Sequence, residues 1–101
     1  MQVDVKLDRV TVSGKVHDRI SLLEFARQLG WTVKTSQDRV YAVLERLFDN
    51  DDSEVVAILA PNPYQQDSWR VDTSNHLNSD ELRRVSSISN KLIGAHLTRV
   101  D

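Results

Sequence analysis

Val55-Val56-Ala57-Ile58-Leu59 is apolar at five consecutive positions, and no other feature constrains the fold of this chain as much. A strand with one wet face alternates apolar and polar residues, whereas an unbroken apolar run needs cover on both faces. The run therefore predicts an inner strand. After it, Pro61 to Asp67 reads as a loop from its prolines and polar residues, and Ser68-Trp69-Arg70-Val71-Asp72 alternates as a returning strand. The two segments predict a hairpin. With 101 residues the chain has room for one hydrophobic core, so residues 1–101 are expected to form a single domain.

Upstream, Val3, Val5 and Leu7 alternate with Asp4, Lys6 and Asp8, and the pattern resumes at Val10 and Val12. Asp8-Arg9 as a two-residue turn gives an N-terminal hairpin, with Ser13-Gly14 as a competing turn. Ser21 and Glu24 have capping-box spacing and Ile20 and Phe25 the staple positions, which predicts a first helix from about Leu22 to Leu29, stopped by Gly30. Trp31 to Thr35 is rich in β-branched residues but too short to assign, and is treated as a connection. A second helix is expected from Ser36, with Thr35 or Ser36 as cap and Asp38 in the first turn. Val40, Val43, Leu44, Leu47 and Phe48 would supply its apolar face at i, i+3, i+4, i+7 and i+8. Asn78 with Glu81, flanked by Leu77 and Leu82, opens a third helix whose stripe of Leu82, Val85, Ile88, Leu92 and Ile93 carries it to at least Ile93. The expected architecture is α+β: an N-terminal β-hairpin, two helices, a second β-hairpin, and a C-terminal helix packed on the sheet.

Composition narrows the setting. Apolar residues make up 40% and charged residues 28%, with three Gly and two Pro, which is the profile of a chain that folds on its own. There is no cysteine, which removes disulfides and thiolate chemistry and points to a reducing, cytoplasmic setting. The alternating start lacks the apolar core of a signal peptide, and the run at Val55 to Ala60 is far short of the roughly 20 residues a membrane helix needs. The net charge is −2; residues 1–50 carry eight Lys/Arg against seven Asp/Glu, and residues 51–101 five against eight.

No motif announces an active site. His17, His76 and His96 are scattered, no Gly-x-Ser-x-Gly elbow presents a serine, and Gly14, Gly30 and Gly94 are too dispersed to cradle a phosphate. The acidic run Asp49 to Glu54 lacks the turn glycine and terminal glutamate of a calcium loop. No catalytic residue, metal site or cofactor is expected, and the chain reads as a non-enzymatic protein.

The segment from Ile20 through Ala26, Leu29, Gly30 and Trp31, followed by the Val40, Leu44 and Leu47 pattern, resembles the helix-turn-helix of winged-helix DNA-binding domains over roughly residues 20–72. That resemblance implies a recognition helix beginning near Ser36 and a wing formed by the hairpin through Val55 to Asp72. It also implies duplex DNA as partner in a transcriptional regulator, contacted by Lys34, Thr35, Ser36, Gln37, Arg39 and Arg70. The Val55–Leu59 run is more apolar than an exposed wing, which departs from the family pattern. The alternative is a protein-interaction module, an adaptor or inhibitor that docks through Asp51 and Asp52 with the aromatic residues Tyr64 and Trp69, since interface cores favour Tyr and Trp. Strands at a sheet edge would also allow a homodimer.

Overall fold

The structure is a computed structural model that describes residues 10–63, 65 and 67–99. Its elements run β1 (Val10–Lys15), α1 (Arg19–Gln28), β2 (Thr32–Ser36), β3 (Arg39–Leu47), β4 (Ser53–Pro61), β5 (Ser68–Thr73), α2 (Ser79–Ser89) and β6 (Ile93–Arg99). All six strands join one sheet in the order β2-β3-β4-β5-β1-β6, and every pairing is antiparallel. The apolar run lies in β4 as an inner strand, and the hairpin it was expected to form with β5 is present, with Leu59 opposite Val71. Val10 and Val12 fall in β1, but β1 lies between β5 and β6 with both edges taken, so it does not form the expected N-terminal hairpin with Val3 to Leu7, a segment outside the described residues.

Two further parts of the expected architecture are corrected. Residues 36–48 do not form a second helix. They make the end of β2, the β2–β3 turn and β3, and Thr32 to Thr35, expected as part of a connection, form the rest of β2. Ser36 pairs with Arg39, and the two residues between them, Gln37 and Asp38, have φ of 51° and 65°. Positive φ at both central positions is the geometry of a type I′ hairpin turn. Ala42, Val43 and Leu44 are all buried, so this strand is covered on both faces at its centre, and an apolar set without alternation can imitate a helical period. Nor does the chain end in a helix: α2 stops at Ser89, Asn90 caps it, and β6 follows. The positive φ of Gly94, +63°, lies within a register shift against β1. Gly14 of β1 lies beneath it, where an added Cβ would come within 2.7 Å of Leu92 Cβ.

Both helices lie over one face of the sheet, α1 on β2 and β3, α2 on β5 and against α1. The core they enclose joins Leu22, Ala26, Val85 and Ile88 from the helices to Ala42, Leu44, Leu59 and Val71 from the strands. A bulge between β3 and β4 leaves Val56 without a cross-strand partner and adds it, beside Ala57, to the same core. Helix α1 is capped by Asp18, three residues before Ser21; the Asp18 side chain accepts from Ile20 N and Ser21 N, and Ser21 Oγ donates to it at 2.9 Å. The Ser21 bonds hold the Asp18 carboxyl below its ordinary value. The Asn78–Glu81 capping box of α2 forms as the sequence predicts, with Glu81 N donating to Asn78 Oδ1 at 2.8 Å and Asn78 N to Glu81 Oε1 at 2.9 Å. Neither helix is long and apolar enough to cross a membrane.

Glu81 also ties α2 to the sheet. Arg46 on β3 donates Nε to Glu81 Oε2 at 2.9 Å and reaches the His76 carbonyl with Nη2. This bond holds the carboxyl of Glu81 below its ordinary value, against the burial that opposes it. A carboxyl whose pKa falls on folding adds stability above its unfolded value and loses it as pH falls through the folded one. Glu81→Gln keeps a capping-box side chain but not the charge. In thermal melts it should lower the midpoint at neutral pH by about 5 °C or more, with the gap to the parent closing below the ordinary carboxylate range. A gap that stays constant with pH would show that the charge contributes nothing.

The turn allows a second test. Replacing Gln37-Asp38 by Asn-Gly puts a residue that tolerates positive φ at the first position and one without a side chain at the second, and should raise stability by about 1 kcal/mol, roughly 5 °C in a domain of this size. The same replacement in a helix would destabilise it through the glycine, so a lowered melting temperature would contradict the hairpin.

Candidate anion-binding pocket

An antiparallel sheet with helices on one face leaves the other to be furnished by every second residue of each strand. On the helix-free face Lys34 on β2 pairs with Tyr41 on β3, and Ala60 on β4 with Arg70 on β5, Ser13 on β1 and His96 on β6; extending the Val43–Ile58 and Ala42–Leu59 register by one residue puts the two sets in one row. The row beneath it carries Thr32, Val43, Ile58, Asp72, Thr11 and Thr98. At the end of the sheet that holds the β2–β3 turn, the upper row opens into a cavity of about 320 Å³. Ser36, Gln37 and Arg39 from the turn, Tyr41, Ala60 and Arg70 from the strands, and Pro61 and Pro63 line it. That volume is at the small end of ligand pockets, which run from about 300 to 1,000 Å³.

The residues expected to contact DNA are thus partly brought together, though by a hairpin and not by a recognition helix. Ser36, Gln37, Arg39 and Arg70 share the cavity; Lys34 is exposed on the same face as the cross-strand neighbour of Tyr41. Thr35 alternates to the opposite face, paired with Val40. The residues considered for protein docking do not converge. Trp69 is 5% exposed and belongs to the core, Asp51 and Asp52 are exposed in the β3–β4 turn at the far end of the sheet, and Tyr64 lies outside the described residues.

Arg70 is held from below. Its Nε lies 3.3 Å from Asp72 Oδ2, and Thr11 Oγ1 donates to Asp72 Oδ1 at 2.7 Å. The 3.3 Å approach is an ion pair without hydrogen-bond alignment, so the buried Nε has no hydrogen-bond partner. Neither Lys34 nor Arg39 is engaged in an ion pair among the described residues, whereas Arg83 and Arg84 on α2 both pair with Asp80, at 2.6 and 3.0 Å. Arg39 is exposed at the rim and free to meet an anion with its planar fork of donors.

Tyr41, Ala60, Asp72 and Thr11 were not singled out by the sequence reading. Arg70 and Asp72 at i and i+2 of an alternating segment did signal two charges on one strand face. Tyr41 gave no such signal, because its segment read as a helix. Among the described residues no group of three or more His, Cys, Asp or Glu side chains could hold a metal ion. Comparison of the chain with protein-family models, with curated proteins and with solved structures gives no match.

Proposed function

We propose that this chain is a non-enzymatic binding module that engages nucleic acid through the basic cavity of its helix-free face. The observation that carries this is the convergence of Arg39 and Arg70 with Tyr41 in one cavity, with Lys34 beside it. Guanidinium groups recognise phosphates in bidentate fashion, and an aromatic ring offers a face for a base. Ser36 and Gln37 add a hydroxyl and an amide at the rim.

The net charge of −2 is no obstacle, because charge is segregated along the strands. Asp49, Asp51, Asp52 and Glu54 cluster at the β3–β4 turn. Strand β3 spans nine residues from Arg39 to Leu47, about 26 Å at roughly 3.3 Å per residue. The Debye length at physiological salt is about 8 Å, so the acidic end is screened from a ligand at the basic end. Two carboxylates remain close, Asp38 next to Arg39 in the turn and Asp72, 3.3 Å from Arg70 Nε.

Fluorescence polarisation of labelled oligonucleotides at low and physiological salt tests this role. Binding should weaken with salt, and Arg39→Ala should reduce the salt slope by about 0.7 on a single strand or about 0.9 on a duplex, as loss of one phosphate contact requires. Asp38→Asn should tighten binding. An Arg39→Ala, Arg70→Ala double variant that binds as well as the parent would sink the proposal.

A protein-interaction role is favoured by a different observation. Among the described residues strand β6 is a sheet edge whose Ile93 to Thr98 stretch is exposed and carries no Asp, Glu, Lys or Arg, with Leu97 58% and Ile93 45% exposed. Natural edge strands are usually blunted by charge or proline. On this reading a second copy pairs along β6, as in a two-fold dimer. Sedimentation should then show a dimer that Leu97→Lys converts to a monomer, and a monomeric parent would exclude it.

A further inference from the structure

We propose that the cavity between Tyr41 and Arg70 takes a single unpaired nucleobase, so that the chain prefers single strands to duplexes. The proposal rests on the nucleic-acid role above and assigns its ligand class. Tyr41 and Arg70 are in one row of the helix-free face, two strands apart, with Ala60 on the strand between them. Neighbouring strands are about 4.8 Å apart, so the two backbones are separated by about 10 Å. A methyl group is all that fills the floor of that interval, which is why a cavity opens there and not where Val43 and Ile58 stand in the next row.

The walls of the slot suit a flat, π-faced ligand. Tyr41 stands half-buried on one side of the slot. Arg70 Nε lies 3.3 Å from Asp72 Oδ2, and the other oxygen of Asp72 accepts from Thr11. An aromatic ring and a guanidinium plane are the two side-chain surfaces on which unstacked bases settle. Pro61 and Pro63 close one side with rigid apolar surface, and Ser36 and Gln37 stand at the opening with hydroxyl and amide groups for a base edge. Arg39 at the rim of the cavity and Lys34 beside it on the same face are suited to the flanking phosphates. A base in a duplex offers its faces only after being flipped out, at a cost a single strand does not incur.

The test uses the full chain, a labelled single-stranded oligonucleotide, the same oligonucleotide annealed to its complement, and a single strand carrying one 2-aminopurine. The single strand should bind more tightly than the duplex, with a change in 2-aminopurine fluorescence on binding. Tyr41→Leu should weaken single-strand binding about fivefold or more, abolish the fluorescence change and leave the salt slope unaltered, because no phosphate contact is lost. Ala60→Leu fills the slot and should reproduce both losses, which keeps the test intact if Tyr41→Leu proves unfolded in a thermal melt. Equal affinity for both forms overturns the proposal. So does undiminished single-strand binding by both variants; if Arg39→Ala still weakens that binding, the stacking slot fails while the nucleic-acid role stands. No binding of either form by the parent overturns both.

Discussion

One asymmetry governs this molecule: two helices cover one face of a six-stranded antiparallel sheet, and among the described residues no helix lies on the other. On the covered face, alternate residues must be apolar, and Ala42, Leu44, Leu59 and Val71 meet Leu22, Ala26, Val85 and Ile88 there. On the other face nothing in the helical layer dictates composition, and the same strands can present Lys34, Tyr41 and Arg70 in a row. The candidate site is thus a consequence of the layer count. Its residues alternate with core residues on strands whose positions the core fixes, so the site inherits the rigidity of the sheet.

The attachment of α2 depends on a side chain with several roles. Glu81 completes the capping box with Asn78, receives Arg46 from β3, and is nearly buried between them. Breaking a buried pair leaves an uncompensated charge, which costs far more than the pair contributes when intact. The Arg46 Nη2 bond to the His76 carbonyl extends the tie to the segment before the helix. The end of α2 is set differently, by Asn90 and by the return of the chain into β6 over Gly14, where any larger residue would collide with Leu92.

What could be read from the sequence divides along physical lines. The β4–β5 hairpin was legible because an unbroken apolar run, a proline-marked loop and an alternating return each point to it independently. The start of α2 was legible because a capping box is chemistry local to four residues. The first helix was found but started late, because Asp18 outcompetes Ser21 as cap and recruits its hydroxyl. The β2–β3 hairpin was not legible. Its turn uses Gln37-Asp38 in place of the Asn-Gly or Asp-Gly that positive φ favours, and Val40, Val43, Leu44, Leu47 and Phe48 fit a helix by spacing alone. Long-range pairing with β4 decided the outcome, and no local window contains that information. Strand β6 was hidden for the related reason that Leu92 and Ile93 extend the stripe of α2 past the point where Asn90 ends it.

The site shows the same division. Four of its polar residues, Ser36, Gln37, Arg39 and Arg70, were named from the sequence as nucleic-acid contacts on the assumption of a recognition helix, and the cavity gathers those four by a different secondary structure. Side-chain chemistry survives an error in backbone assignment when the residues are close in sequence and a turn brings them to one surface. Arg70 joins them only through the sheet, two strands away from Tyr41, so its place depends on the register of β3, β4 and β5. Net charge is the weaker guide for the same reason. A chain of −2 can hold a basic surface when Arg39 and Arg70 stand at one end of the sheet and Asp49, Asp51, Asp52 and Glu54 at the other, separated by the length of a strand and by several screening lengths of solvent.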